Sequence, residues 1–277
     1  MFAPLPHIPA ATRRAPGSAV TETPRIPGYR LLRAIGSGRR STAWLAQDLE
    51  RGGELVLKLQ AARGSALHCE AAVAARVQGD GLVHVVDHGR TSQWGYLAME
   101  YVAGGELAAR MRAGLPREQA LTLFAQAVGA VAELHRAGLV HRDLKPANFL
   151  LRADGRLVLA DYGLVVAAGH SDPRFVAGAV FGTPRYAAPE QLQGAPAAPA
   201  ADVYSLGVLL HEMLAGHPPF PGETLMEVLS QHLLAQPARL PEPLADLQAL
   251  VDRMLAKQAQ RRLPDADAVL GLIGQRC

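Results

Sequence analysis

One change of hydrophobic period limits what this chain can fold into. From Tyr29 to Val102 the apolar residues come in short runs, "YRLLRAIG", "STAWLAQD", "ELVLKLQ", "LVHVVDHG" and "WGYLAMEYV", separated by Gly-, Asp- and Arg-containing turns. These read as strands. Between the third and fourth, "ALHCEAAVAARVQ" is Ala-rich and unpunctuated and reads as one helix. After "AGGEL" at 103–107 the pattern lengthens into helical segments at 117–138, 201–216, 225–235 and 243–255, each ending near Gly, Pro or a basic residue. The expected fold is therefore α+β, with a small sheet-rich lobe, a larger helical lobe and a joint near 100–105.

The bulk properties exclude several classes. The 277 residues carry a net charge of +3, and their Lys and Arg are dispersed, so nothing points to nucleic acid. Cys69 and Cys277 form no CxxC pair, which argues against a disulfide framework or zinc site and suggests a reducing, cytoplasmic setting. The longest apolar stretch, "VYSLGVLLHEMLAG" at 203–216, is interrupted by His211 and Glu212 and falls short of the roughly 20 residues that span a bilayer. His84 and His88 lie on a strand and turn, where they share no helical face, and make a poor metal pair. Residues 1–28 hold six prolines and little apolar periodicity, as expected of a disordered tail before a domain at 29–277.

The chemistry concentrates in "HRDLKPANF" at 141–149, which follows a long helical segment and precedes two short apolar runs, with "ADYG" shortly after at 160–163. With these strings the chain resembles the eukaryotic-type protein kinases, most closely their bacterial Ser/Thr branch, from about Tyr29 onward. The resemblance implies a bilobal protein-kinase fold, with the N-lobe at about 29–101, the hinge at 100–105 and the C-lobe beyond. It implies Asp143 as catalytic base, Lys145 beside the transferred phosphoryl, and Asn148 and Asp161 as metal ligands. Lysine at 145 implies Ser/Thr rather than Tyr specificity. Such chemistry needs hard oxygen ligands for Mg²⁺, for which Mn²⁺ can substitute, and a cation near the phosphate of ATP.

Upstream, "LVLK" puts Lys58 where the family's phosphate-gripping lysine stands, and Glu70, twelve residues on, is its expected partner in preference to Glu54. The interval is short for the family and implies a trimmed loop. "MEYVAGGEL" resembles the hinge: Met99 would guard the back of the nucleotide pocket, the Glu100 carbonyl and Val102 amide would meet adenine, and Glu106 would reach the ribose. "GSGRRSTA" resembles the glycine loop, with Gly36 and Gly38 kept, Ser41 in place of the third glycine and Ala43 in place of a valine above adenine. Val56 replaces the usual small residue, so one wall narrows as the roof opens. Ile35, Met99 and Leu150 complete an apolar sandwich for the ring.

"GTPRYAAPE" at 182–190 resembles the end of an activation segment that docks a protein substrate. Thr183 would bond Asp143 and Lys145, Asp202 would hold the catalytic-loop backbone, and Glu190 would pair with either Arg261 or Arg262. In "VAGAVFGT" no hydroxyl precedes Thr183, and Ser171 is the only other Ser or Thr of the segment. The segment is therefore expected to order by packing of Phe175, Val176, Val180 and Phe181, without phosphorylation. Two rivals stand beside an active kinase: a pseudokinase that binds nucleotide or a partner, and a small-molecule phosphotransferase, which would lack the docking segment.

Overall fold

A computed structural model describes residues 24–38, 41–77, 79–171 and 184–274. The expected two-part architecture is present. Strands β1 (Tyr29–Ser37), β2 (Thr42–Asp48), β3 (Glu54–Ala61), β4 (Val85–Arg90) and β5 (Trp94–Glu100) form one antiparallel sheet in the order β1-β2-β3-β5-β4. Period two divides β3: Leu55, Leu57 and Leu59 are buried on one face, while Val56 and Lys58 turn to the other. On the second face lies α1 (Ala66–Arg76), packed through Leu67 and Ala71 on Leu97.

Ile26 falls within the Pro-rich stretch, yet it is buried against Leu55, Leu57 and Leu59 and bridges to Tyr29. The packed chain thus reaches at least three residues further upstream than composition suggests. Its apolar side chain fills the open face of the sheet.

At the joint, Gly104 runs so close to the Leu151 carbonyl that a Cβ would sit 2.3 Å from it, and Gly105 has φ +82°. The two glycines are needed for the crossing between lobes. Beyond them come α2 (Leu107–Arg112), α3 (Arg117–Arg136), β6 (Leu139–Val140), β7 (Phe149–Leu151), β8 (Leu157–Leu159) and β9 (Val166–Ala167). Then follow α4 (Pro189–Leu192), α5 (Pro199–Ala215), α6 (Leu225–Leu234), α7 (Gln248–Met254) and α8 (Ala266–Gly274). Helix α5 is apolar almost all round and is buried through most of its length, as a central helix must be. Thr224 and Glu227 close a reciprocal capping box at the start of α6.

The helix expected over 243–255 is a difference. Glu242–Leu247 is a 3₁₀ stretch and only Gln248–Met254 is α-helical. Pro243 stands at its first turn, and a three-residue repeat sets Leu244, Leu247 and Leu250 on the core side in succession. Among the described residues, no helix is long and apolar enough to cross a membrane.

Candidate active site

The catalytic-loop string lies between β6 and β7, on a backbone the sequence alone would not favour. Arg142 has φ +69° and Asp161 φ +66°, conformations that cost non-glycine residues on the order of 1–3 kcal/mol each. Asp202, at the start of α5, holds the first of them. Its carboxylate accepts the His141 N–H at 2.7 Å and the Arg142 N–H at 2.8 Å, and it meets His135 Nε2 at 3.0 Å. Gln191 donates to the Arg142 carbonyl at 3.1 Å, and Arg142 Nε donates to the Leu164 carbonyl at 2.8 Å. Burial alone would raise the Asp202 pKa; the His135 bond, the charges of His135 and His141 and the His141 N–H outweigh it and hold the group below the ordinary carboxylate range.

On this support Asp143 and Lys145 face each other, with Lys145 Nζ donating to Asp143 Oδ2 at 2.7 Å. Asn148 donates its amide N–H to the Asp143 carbonyl at 2.8 Å, a bond that does not use its amide oxygen. Its own carbonyl accepts the Ala160 N–H at 2.8 Å and ties the loop to the segment that leads from β8 to Asp161.

Lys58 bridges the lobes. Its Nζ donates to both Glu70 oxygens, at 2.9 and 2.8 Å, and to Asp161 Oδ1 at 2.8 Å. Twelve residues suffice because α1 starts at Ala66, only five positions after β3 ends. Desolvation pulls the Lys58 pKa down, but the charges of Asp161 and Glu70 prevail and hold it above its usual value. For Asp161 desolvation opposes ionisation too, and Lys58 overcomes it, so the carboxylate stays ionised. Glu70 is the exception: desolvation, together with the charge of Asp161, raises its pKa further than Lys58 lowers it. Its side chain is 4% exposed, whereas that of Asp161 is 43% exposed and opens to the cleft. Gly163 keeps this junction clear, since a Cβ there would lie 3.1 Å from Glu70 Oε1.

The residues expected around adenine share one region. Ala43 pairs with Lys58 and Gly36, and Val56 pairs with Leu45 and Met99, so Ala43, Val56, Lys58 and Met99 line one face of the sheet. Met99 and Leu150 pack together on Val83, Val102 and Val158, while Ile35 is 40% exposed at the rim. Gly38 donates to the Ser41 carbonyl at 2.8 Å and closes the turn between β1 and β2. Glu106 is exposed at the start of α2 and bridges to Leu150.

Of the two candidate arginines, Arg262 pairs with Glu190. It donates two bonds, at 2.6 and 2.7 Å, and is buried, while Arg261 is exposed. Thr183, Phe175, Val176, Val180 and Phe181 lie outside the described residues.

Four contributors escape motif reading. His135 and Gln191 support the catalytic loop, Arg152 pairs with the Glu100 carboxylate, and the Tyr162 hydroxyl donates to the Val83 carbonyl at 3.0 Å. Only Tyr162 carried a signal, a hydroxyl on an aromatic ring, which must find a partner when buried.

The model of the protein kinase domain matches residues 29–270. The chain belongs to the protein kinase family. A Corynebacterium efficiens relative described as a serine/threonine-protein kinase is 35% identical over 256 residues, covering 87% of this chain and 49% of its own length. PknL of Mycobacterium bovis is 33% identical over 273 residues, 95% of this chain and 67% of that protein. PknA of Mycobacterium tuberculosis is 35% identical over 260 residues, 87% of this kinase chain and 60% of that protein. The chain therefore spans about half to two thirds of the length of these relatives.

Proposed function

We propose that this kinase domain transfers the γ-phosphoryl group of ATP to Ser or Thr hydroxyls of protein substrates, with Mg²⁺ or Mn²⁺, in the cytoplasm. The single observation that carries the reading is the linked set Lys58–Glu70 and Lys58–Asp161, closed at hydrogen-bond distance across the two lobes. A chain that had given up transfer would be under no demand to hold a buried glutamate against a lysine. The donor set also fits the metal: an ionised Asp161 and the Asn148 amide oxygen are hard oxygen ligands on neighbouring strand ends. When bound, the metal supplies neutralisation of phosphate charge.

In this reading Asp143 orients the acceptor hydroxyl and takes its proton, and Lys145, 2.7 Å from it, offers positive charge to the phosphoryl in flight. Lys58, set by Glu70, holds the nucleotide phosphates. The altered glycine loop still has Gly36 and Gly38 and can offer backbone N–H groups from Ser41. Ala43, Val56, Met99 and Leu150 enclose adenine, the Glu100 carbonyl and Val102 amide bond its edge, and Glu106 meets the ribose. Ala43 and Val56 lie on one sheet face, as a compensating change of roof and wall requires. The domain division, a Pro-rich tail before one catalytic domain, belongs to the same proposal.

Purified protein incubated with labelled ATP and Mg²⁺ or Mn²⁺, alone and with a basic acceptor protein, tests the reading. Label on serine or threonine is expected. Nucleotide binding without transfer would replace it by the pseudokinase.

A further inference from the structure

Away from the cleft, a second polar cluster is buried where α6 meets the Pro184–Tyr186 turn. At its centre His232 has no exposed surface, in a ring cage of Phe220 at 4.7 Å and Tyr204 at 5.7 Å. A buried polar ring in a helix that is otherwise apolar on its inner side needs a reason.

The hydrogen-bond distances around it favour one tautomer. Lys257 Nζ lies 3.9 Å over the Phe220 ring and spends all three donors: on the Gln231 carbonyl at 3.0 Å, the His232 carbonyl at 2.8 Å and the Tyr204 hydroxyl oxygen at 3.4 Å. Tyr204 oxygen is then an acceptor toward Lys257, and of the two acceptors open to its own proton, His232 Nδ1 at 3.0 Å is nearer than the His232 carbonyl at 3.5 Å, so the proton is assigned to Nδ1. Nδ1 accepts, so the ring proton sits on Nε2. Burial, with the charge of Lys257 beside it, brings the His232 pKa down to about 4, and the ring is neutral at physiological pH. Burial and Arg262 likewise bring Lys257 down to about 8, still mostly an ammonium at pH 7.

Nε2–H is a buried donor with no partner at normal hydrogen-bond geometry. The Pro184–Tyr186 turn packs on α6, and the Arg185 backbone bears on the ring in the sense that favours its protonated form, as a carbonyl does and an N–H does not. Arg185 is the middle residue of the Pro184–Tyr186 turn. The next residue, Tyr186, is anchored from the other side: its carbonyl accepts from Ser205 Oγ at 2.7 Å and its hydroxyl donates to Glu212.

From this juxtaposition we propose that His232 is a positioning residue for the acceptor-docking turn, donating Nε2–H to the Arg185 carbonyl when a protein substrate presses the turn onto α6. The inference rests on the protein-kinase reading of the turn. His232 touches neither nucleotide nor the reacting atoms; it sets where the acceptor backbone lies relative to Asp143.

The test compares His232→Leu, which removes both ring nitrogens, with His232→Gln, which can keep a donor on the turn. With ATP and a basic acceptor protein, His232→Leu should raise KM for the acceptor about tenfold, the worth of one hydrogen bond, with KM for ATP unchanged. Glutamine should restore most of it. A separate readout needs no turnover: with the acceptor protein bound, amide hydrogen exchange at Arg185–Ala187 should speed up in the leucine variant and not in the glutamine one. Tyr204→Phe, which frees Nδ1 and one Lys257 donor but keeps the His232 ring, is the milder variant should leucine not fold, and it should raise the acceptor KM in the same direction. Unchanged exchange in the turn, or equal effects on ATP and acceptor, would overturn the proposal. An unsubstituted chain that transfers no phosphate would instead count against the kinase reading, and the exchange result would still decide the role of His232.

Discussion

Two acidic clusters, one around Asp202 and one around Asp161, behave oppositely. Asp202 under the catalytic loop is fully buried, and its oxygens are saturated by two backbone N–H groups and the His135 ring. Asp161 at the lobe junction is 43% exposed at its side chain and meets one lysine, which it shares with Glu70. Both are ionised against the cost of desolvation, but the first is ionised chiefly by groups of the surrounding fold and the second by the Lys58 ammonium. Saturation by backbone makes a carboxylate architectural. Partial satisfaction by another side chain leaves capacity for a ligand.

Substitutions at the two clusters can break that contrast. Asp161→Ala should show the largest effect, loss of detectable phosphoryl transfer, with a melting temperature near that of the parent. Lys58→Met should cut transfer by about 10²–10³ and also spare the fold. Transfer by either variant at the parent rate would remove Asp161 and Lys58 from the proposed machinery.

Asp202→Ala should do the reverse. It leaves two backbone N–H groups and His135 Nε2 unpaired in the interior and should lower unfolding free energy by about 3–5 kcal/mol, read by denaturant titration. A soluble variant of parental stability with lost transfer would make Asp202 a direct participant and end the distinction.

The smallest effect is in acid. Asp202 is held below its unfolded pKa of about 3.9, so its stabilisation is complete above that pH and is lost as pH falls through the lower folded value. Glu70, raised by burial, acts in the opposite sense, its ionisation costing stability as pH climbs past the unfolded value of about 4.3. Asp202→Asn should flatten the acid limb of stability below about pH 4, while Glu70→Gln should leave that limb in place. An unchanged limb in Asp202→Asn would assign acid sensitivity to other carboxylates.

Much of this was legible without coordinates, for a physical reason. Strand and helix periods are local properties, so the order of a sheet-rich part and a helical part followed from spacing alone. The strings around Asp143, Lys58 and Asp161 were legible because phosphoryl chemistry demands particular donor and acceptor groups at particular intervals. Even Glu70, at an unusual interval, could be singled out as the available helix carboxylate.

Other features depended on direction in space, which neighbours in sequence do not share. Arg261 and Arg262 are adjacent, yet a 3₁₀ turn at Ala259–Arg261 sends one to solvent and the other onto Glu190. Leu244 and Leu247 have a spacing that serves an α-helix or a 3₁₀ stretch, and packing on the core selected the latter. Gln191, His135 and His232 carry no local mark, because their roles exist only where α3, α4, α5 and α6 converge on a loop backbone that leaves its groups to be satisfied. The sequence alone thus determined which groups are present and how the chain is divided into a sheet lobe and a helical lobe; tertiary packing decided which groups meet, because burial makes every polar atom find a partner wherever the fold supplies one.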